Sequence, residues 1–233
     1  MGNVVNKIVF NAPYEGCFEK FDLDFIFIEI ENKEKVAAYF INRNAPLTIL
    51  FCHGNGENIY MLYDYFYETY MVDCLNIKPE SIVLYGKSIG SCAAVDIAIK
   101  RKVKGIILQS AILSLLNICF KTRFIFPFDS FCNIKKIHMI PCYVFFIHGT
   151  DDKIVPFYHG LVKMEKKEKI QNKKNYPTIH VIKLTQCLYE RCKRKVHPYW
   201  VIDGKHNDIE LIENKKFNEN IKSFLNFLNN SYI

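Results

Sequence analysis

Three residues far apart in the chain have the types and the order needed to attack an acyl carbon: Ser88, Asp152 and His206. A serine hydroxyl is a weak nucleophile at neutral pH. It needs a base within hydrogen-bond reach, and that base needs an acid to fix its tautomer. Ser88 is the centre of Gly86-Lys87-Ser88-Ile89-Gly90, a G-x-S-x-G pentapeptide. The pattern alone is weak, but a β-branched and aromatic run, Ser81 to Tyr85, precedes it and a helix-forming run with small side chains, from Ser91, follows. Such a strand-turn-helix elbow holds its nucleophile in a strained turn, which requires neighbours without bulk, here Gly86 and Gly90. Partners in the order Ser, Asp, His then belong at the ends of later strands. Asp152 follows the apolar run Tyr143 to Ile147, and His206 lies in the polar loop after Trp200 to Ile202. Asp151 competes as the acid. His148 and His159 compete as the base, but both share a segment with the acid and read as structural.

Acyl transfer also needs donors aimed at the developing oxyanion. The N–H of Ile89, directly after the nucleophile, is one candidate. Asn55 N–H, in the His53-Gly54-Asn55-Gly56 loop after an earlier strand, is the other.

The elements that must hold these groups alternate between apolar β-rich runs and longer helical patterns, which indicates a mostly parallel sheet with helices on both faces. Residues 25–30 and 36–41 read as an opening hairpin. Strands follow at 48–52, 81–85, 103–108, 143–147 and 200–202. Helices are expected over 58–74 and 91–100. A terminal helix starting near Asn207 or Asp208 places Leu211, Phe217, Ile221, Phe224, Leu225 and Leu228 largely on one side, facing the sheet.

Composition bounds the remaining possibilities. At 233 residues, half of them hydrophobic, the chain suits a single globular domain spanning 1–233. No apolar run approaches the ~20 residues of a membrane-spanning helix, and no secretory leader is apparent, which points to the cytosol. Nine cysteines without a C-x-x-C pair read as reduced core residues, and the seven histidines have no metal-ligand spacing, so no metal is expected. The formal charge of +7 is carried largely by lysine, with no nucleic-acid-binding motif beside it. Met1-Gly2-Asn3 approaches an N-myristoylation signal on Gly2, and one acyl chain needs a second attachment such as acylation of Cys17 or basic charge to hold a membrane face.

The chain resembles the α/β-hydrolase-domain-17 group of protein depalmitoylases. The resemblance runs through Phe51 to Gly56, Ile77 to Ser91, Phe128 to Ile134 and Phe146 to Asp152, then His159 to Leu161, Leu188 to Cys192 and Gly204 to Asp208. It implies the α/β-hydrolase fold and places Ser88, Asp152 and His206 on that family's triad. It also implies hydrolysis of S-palmitoyl thioesters on membrane-attached proteins without a cofactor. The substrate is then an acylated protein or lipid, and the location is peripheral on the cytosolic face of a membrane.

Three departures from the family stand out. The N-terminal cysteine cluster is reduced to Cys17, with Gly2 as another route to a membrane. About one βα unit is missing after Tyr70, which exposes a sheet edge at the Thr48 strand. A Lys- and Asn-rich insertion occupies about 162–186. Two other readings fit the same residues: a lipid esterase or serine peptidase on the same fold, and a non-catalytic remnant from an alternative transcript or faulty gene model.

Overall fold

Apolar, β-branched runs buried on both faces form the centre of the sheet. A computed structural model describes residues 25–29, 35–39, 45–55, 78–119, 129, 131–157 and 188–231. The hairpin strands β1 (Phe25–Glu29) and β2 (Lys35–Tyr39) pair antiparallel as their own two-stranded sheet. The main sheet holds five parallel strands in sequence order: β3 (Thr48–Cys52), β4 (Ile82–Lys87), β5 (Gly105–Gln109), β6 (Tyr143–Gly149) and β7 (Tyr199–Val201). Parallel strands need crossovers, and covered faces make their sequences apolar throughout rather than alternating.

Successive residues of the central strands serve opposite faces. Leu84, Ile106, Leu108, Val144 and Phe146 join one buried cluster with Ala94, Val95 and Ala98 of helix α1 (Gly90–Lys100). Val83, Tyr85, Ile107, Phe145 and Ile147 join the other, closed by the C-terminal helix. Leu115 of the short helix α2 (Leu115–Cys119) joins a third, smaller cluster with Cys92, Ile112 and Val155, whereas α3 (Asn133–Lys136) and α4 (Leu188–Arg191) add Ile134 and Leu188 to the first side.

The C-terminal helical region is not one helix. It divides into α5 (Ile209–Ile212) and α6 (Asn214–Asn230). Glu213 breaks the ladder at φ −132°, ψ 51°, and its carboxylate accepts the Tyr199 hydroxyl at 2.7 Å. This tertiary bond outweighs the local helical preference. Leu211, ahead of the break, is 76% exposed and does not share the sheet-facing stripe of Phe217, Phe224 and Leu228. Asp208 sits at the N-cap position but makes no side-chain cap. Its Oδ1 accepts the Lys205 N–H instead, closing the loop that carries His206.

Among the described residues β3 pairs with β4 alone, and Leu50 in its middle is 41% exposed. Among the described residues the sheet therefore ends at the Thr48 strand. The helix expected over 58–74 and the insertion at 162–186 lie outside the described residues, as do Gly2, Cys17 and His159.

Candidate active site

Ser88 follows the last residue of β4 and turns the chain into α1. Its φ of 53° lies in the left-handed region, where a residue with a Cβ is strained and must be held by its surroundings. Three bonds hold it. Ser88 N–H donates to the Gln109 carbonyl at 2.9 Å, which ties the elbow to the end of β5. The Ser88 carbonyl accepts both the N–H of Ser91 at 3.1 Å and its hydroxyl at 2.6 Å.

The flanking glycines are required by contact. A Cβ on Gly86 would stand 2.6 Å from the Ser91 Cα and 2.8 Å from the Ala94 Cβ. One on Gly90 would overlap the carbonyl groups of Cys52 and His53. The second contact shows that the end of β3 rests directly on the first turn of α1. Neither partner is a flexible side-chain end, so Gly90→Ala has no cheap relief. We expect it to cost about 3 kcal/mol or more and to lower the thermal midpoint by about 6–12 °C, measured by circular dichroism.

The acid and base are brought to Ser88 by the ends of β6 and β7. The loops after these strands are stitched together by backbone bonds: Thr150 N–H to the Val201 carbonyl and Asp151 N–H to the Gly204 carbonyl, both at 2.9 Å. Asp203 turns the second loop at φ 57° and donates its N–H to the Thr150 hydroxyl. In this arrangement His206 Nε2 lies 3.1 Å from Ser88 Oγ, and His206 Nδ1 lies 2.7 Å from Asp152 Oδ2. All three residues are buried, at 8%, 8% and 5% exposure for Ser88, His206 and Asp152. Asp151 does not join them. Its carboxylate turns outward to Lys153 at 3.6 Å.

Asp152 is well suited to remain ionised. Its Oδ1 accepts the N–H groups of Ile154 and Val155 at 2.9 and 2.8 Å, and Oδ2 accepts from His206. Burial pushes its pKa up, but hydrogen bonds from His148 and His206 and their charge outweigh this and hold the carboxyl well below its usual range. Because the carboxylate can only accept, His206 Nδ1 carries the proton, and Nε2 presents a lone pair to Ser88 Oγ.

Ile89 opens the first turn of α1 and Asn55 is exposed in a turn just beyond β3. The Gly90 contact seats that β3 loop against the helix start, where partial positive charge collects. Described cysteines are poor competitors as nucleophiles. Burial pushes the thiols of Cys92 and Cys142 up to about 12 and those of Cys52 and Cys192 to about 11.

A polar network below the elbow is not apparent from sequence spacing. Tyr85 donates its hydroxyl to Gln109 Oε1, Gln109 Nε2 donates to Glu210 Oε1 at 2.7 Å, and Lys87 Nζ lies 3.5 Å from the same oxygen. The chain of contacts links β4, β5 and the helix directly after His206. A second network joins Ser91 and Asn133, with Asn133 Nδ2 donating to Ser91 Oγ at 3.0 Å and to the Ile112 carbonyl at 2.9 Å. Periodicity marks buried positions but cannot show which buried polar groups meet.

The same frame occurs in known hydrolases. A sugar hydrolase from Lactococcus lactis aligns with 87% of this chain and 97% of its own at a TM-score of 0.56 and 15% identity. The esterase domain of a Rhodothermus marinus protein aligns with 86% of this chain and 96% of its own at 0.51 and 12%. This is the α/β-hydrolase fold. In sequence, the chain is related to the α/β-hydrolase-domain-17 proteins. It is 36% identical over 150 residues to α/β-hydrolase domain-containing protein 17C of Xenopus tropicalis, covering 64% of this chain and 40% of that protein. The human 17C and 17B proteins match at 36% and 35% identity, with 37% and 43% of their lengths covered. The chain therefore spans about two fifths of the length of these curated relatives. No protein-family profile matches it. In fold and in sequence the chain is thus similar to hydrolases. Its Gly86-to-Gly90 elbow lies where the fold turns a strand into a helix.

Proposed function

We propose that the chain is a serine hydrolase that cleaves acyl thioesters or esters through an acyl-enzyme. The observation that carries this reading is the relay from Asp152 Oδ2 to His206 Nδ1 at 2.7 Å and from His206 Nε2 to Ser88 Oγ at 3.1 Å. His206 takes the Ser88 hydroxyl proton as Oγ attacks the acyl carbon. The resulting oxyanion is met by the N–H groups of Ile89 and Asn55. When the tetrahedral adduct collapses, His206 returns the proton to the departing thiolate or alkoxide and leaves the acyl group on Ser88. Water, deprotonated by the same His206, then releases the fatty acid and restores the serine. Ser88, His206 and Asp152 supply nucleophile, base and acid by themselves, so the steps call on no cofactor.

For the substrate, kinship with the domain-17 proteins favours S-palmitoyl groups on membrane-attached proteins, and acylation of Gly2, with Cys17 as a second anchor, would bring the enzyme to the cytosolic face. The full chain incubated with an S-palmitoylated peptide, and separately with a long-chain lipid ester, distinguishes the substrate classes. We expect release of palmitate from the thioester at least about 10-fold faster in kcat/KM, a margin of roughly 1.4 kcal/mol in transition-state binding. Faster hydrolysis of the lipid ester would make the chain a lipid esterase on the same fold. No turnover of either, by a folded protein, would leave a non-catalytic remnant.

A further inference from the structure

The acid of this site is shared by a second imidazole. His148, the penultimate residue of β6, is 2% exposed, and its Nε2 lies 2.9 Å from the Val155 carbonyl and 3.4 Å from Asp152 Oδ2. A carbonyl oxygen only accepts, so Nε2 carries a hydrogen, and that one N–H is directed between the carbonyl and the carboxylate. The turn from Gly149 to Val155 sets this up: Asp152 N–H returns to the Gly149 carbonyl at 3.3 Å, which brings residues four apart together. Phe157 packs edge-on against the His148 ring at 5.7 Å and is itself backed by Trp200 at 5.4 Å, so the ring is clamped.

We infer that His148 is a positioning residue of the reaction: it shares the Asp152 carboxylate with His206 and fixes the oxygen that orients the base. The inference rests on the triad reading above. With His148 in place the carboxylate meets four donors, two backbone N–H groups on Oδ1 and the two imidazoles on Oδ2. Without it, Oδ2 is anchored only by His206, the ring that must turn between Ser88 and the leaving group. At 3.4 Å the His148 contact is long, so its value lies in the direction of its N–H dipole rather than in bond strength. Among the described residues the titratable groups that face Asp152 are these two histidines, since Asp151 turns to Lys153. A donor on Oδ2 draws off part of the negative charge that stabilises the His206 imidazolium. Removing it tightens the hold of Asp152 on the protonated base.

The test uses the full chain and a short p-nitrophenyl ester, with kcat and KM measured from pH 5 to 9. In His148→Gln, the amide Nε2 replaces the imidazole donor, and kcat is expected within about threefold of wild type. In His148→Leu the donor is gone. There we expect kcat to fall about 10–100-fold with KM within about twofold, the range usual for partners that orient a functional histidine. The acid limb of kcat/KM should move to higher pH by about half a unit or more, equivalent to about 0.7 kcal/mol on the base. Should His148→Leu fail to fold, His148→Asn, whose shorter amide withdraws from both acceptors, takes its place with the same expectation. A folded donor-less variant with wild-type kcat and an unmoved profile overturns the inference, as does equal impairment of the Gln and Leu variants. Ser88→Ala is run in parallel: turnover surviving there overturns the triad reading instead.

Discussion

Ser88→Ala is expected to eliminate labelling by a fluorophosphonate probe and to lower kcat for ester hydrolysis by about a million-fold, while the protein remains folded. The size follows from the unit in which the serine acts. Among the described residues Ser88 Oγ is the hydroxyl that His206 meets, at 3.1 Å, so its loss removes the covalent route as a whole rather than one contribution to it. Labelling reads the nucleophile directly, because the phosphonyl group is captured by Oγ and stays there. The fold should tolerate the change, since the bonds at the elbow are made by Ser88 backbone groups and not by Oγ. A thermal midpoint within a few degrees of wild type confirms that. Undiminished labelling of the alanine variant would assign the nucleophile elsewhere.

Asp152→Asn should lower kcat by about 10⁴-fold with little change in KM. An amide in place of the carboxylate can offer its NH₂ to His206 Nδ1. The ring then carries its proton on Nε2, facing Ser88 Oγ, where it cannot accept one. Stability should change with pH as well. The folded-state pKa of Asp152 is depressed, so its contribution is present above the unfolded carboxyl value, about pH 4, and is lost as pH falls below it. The asparagine variant has no such group to protonate. Its thermal midpoint should therefore decline less steeply than that of wild type between about pH 4 and pH 2, in a series of melts at matched ionic strength. A parallel decline in both proteins would show that Asp152 is not what acid attacks.

Much of this architecture can be read in the sequence because it depends on local rules. Unbroken runs such as Ile82-Val83-Leu84-Tyr85 have to be buried on both faces, and the strands they form lie within two or three residues of where periodicity puts them. Gly-x-Ser-x-Gly between a strand run and a small-residue helix is an elbow for a steric reason, and the Ser88 φ of 53° and the Gly90 contact are that reason made visible. Ser88, Asp152 and His206 can meet because each follows a strand of one parallel sheet, and the C-terminal ends of those strands open on the same edge.

What the sequence could not decide depends on directions in space. Asp151 and Asp152 are adjacent and chemically alike. Only the turn closed on Gly149 and the bond from Asp151 N–H to the Gly204 carbonyl send one carboxylate to His206 and the other to solvent. Residues 209–230 look like one amphipathic helix, yet it is broken at Glu213, whose carboxylate accepts the hydroxyl of Tyr199 at the start of β7. Spacing alone leaves His148 an ordinary buried histidine, because its importance lies in a carboxylate four residues later that a turn folds back to it. Helix and strand periods come from backbone geometry and are written residue by residue. Which of two neighbouring polar side chains meets a distant partner is fixed only when the chain closes on itself.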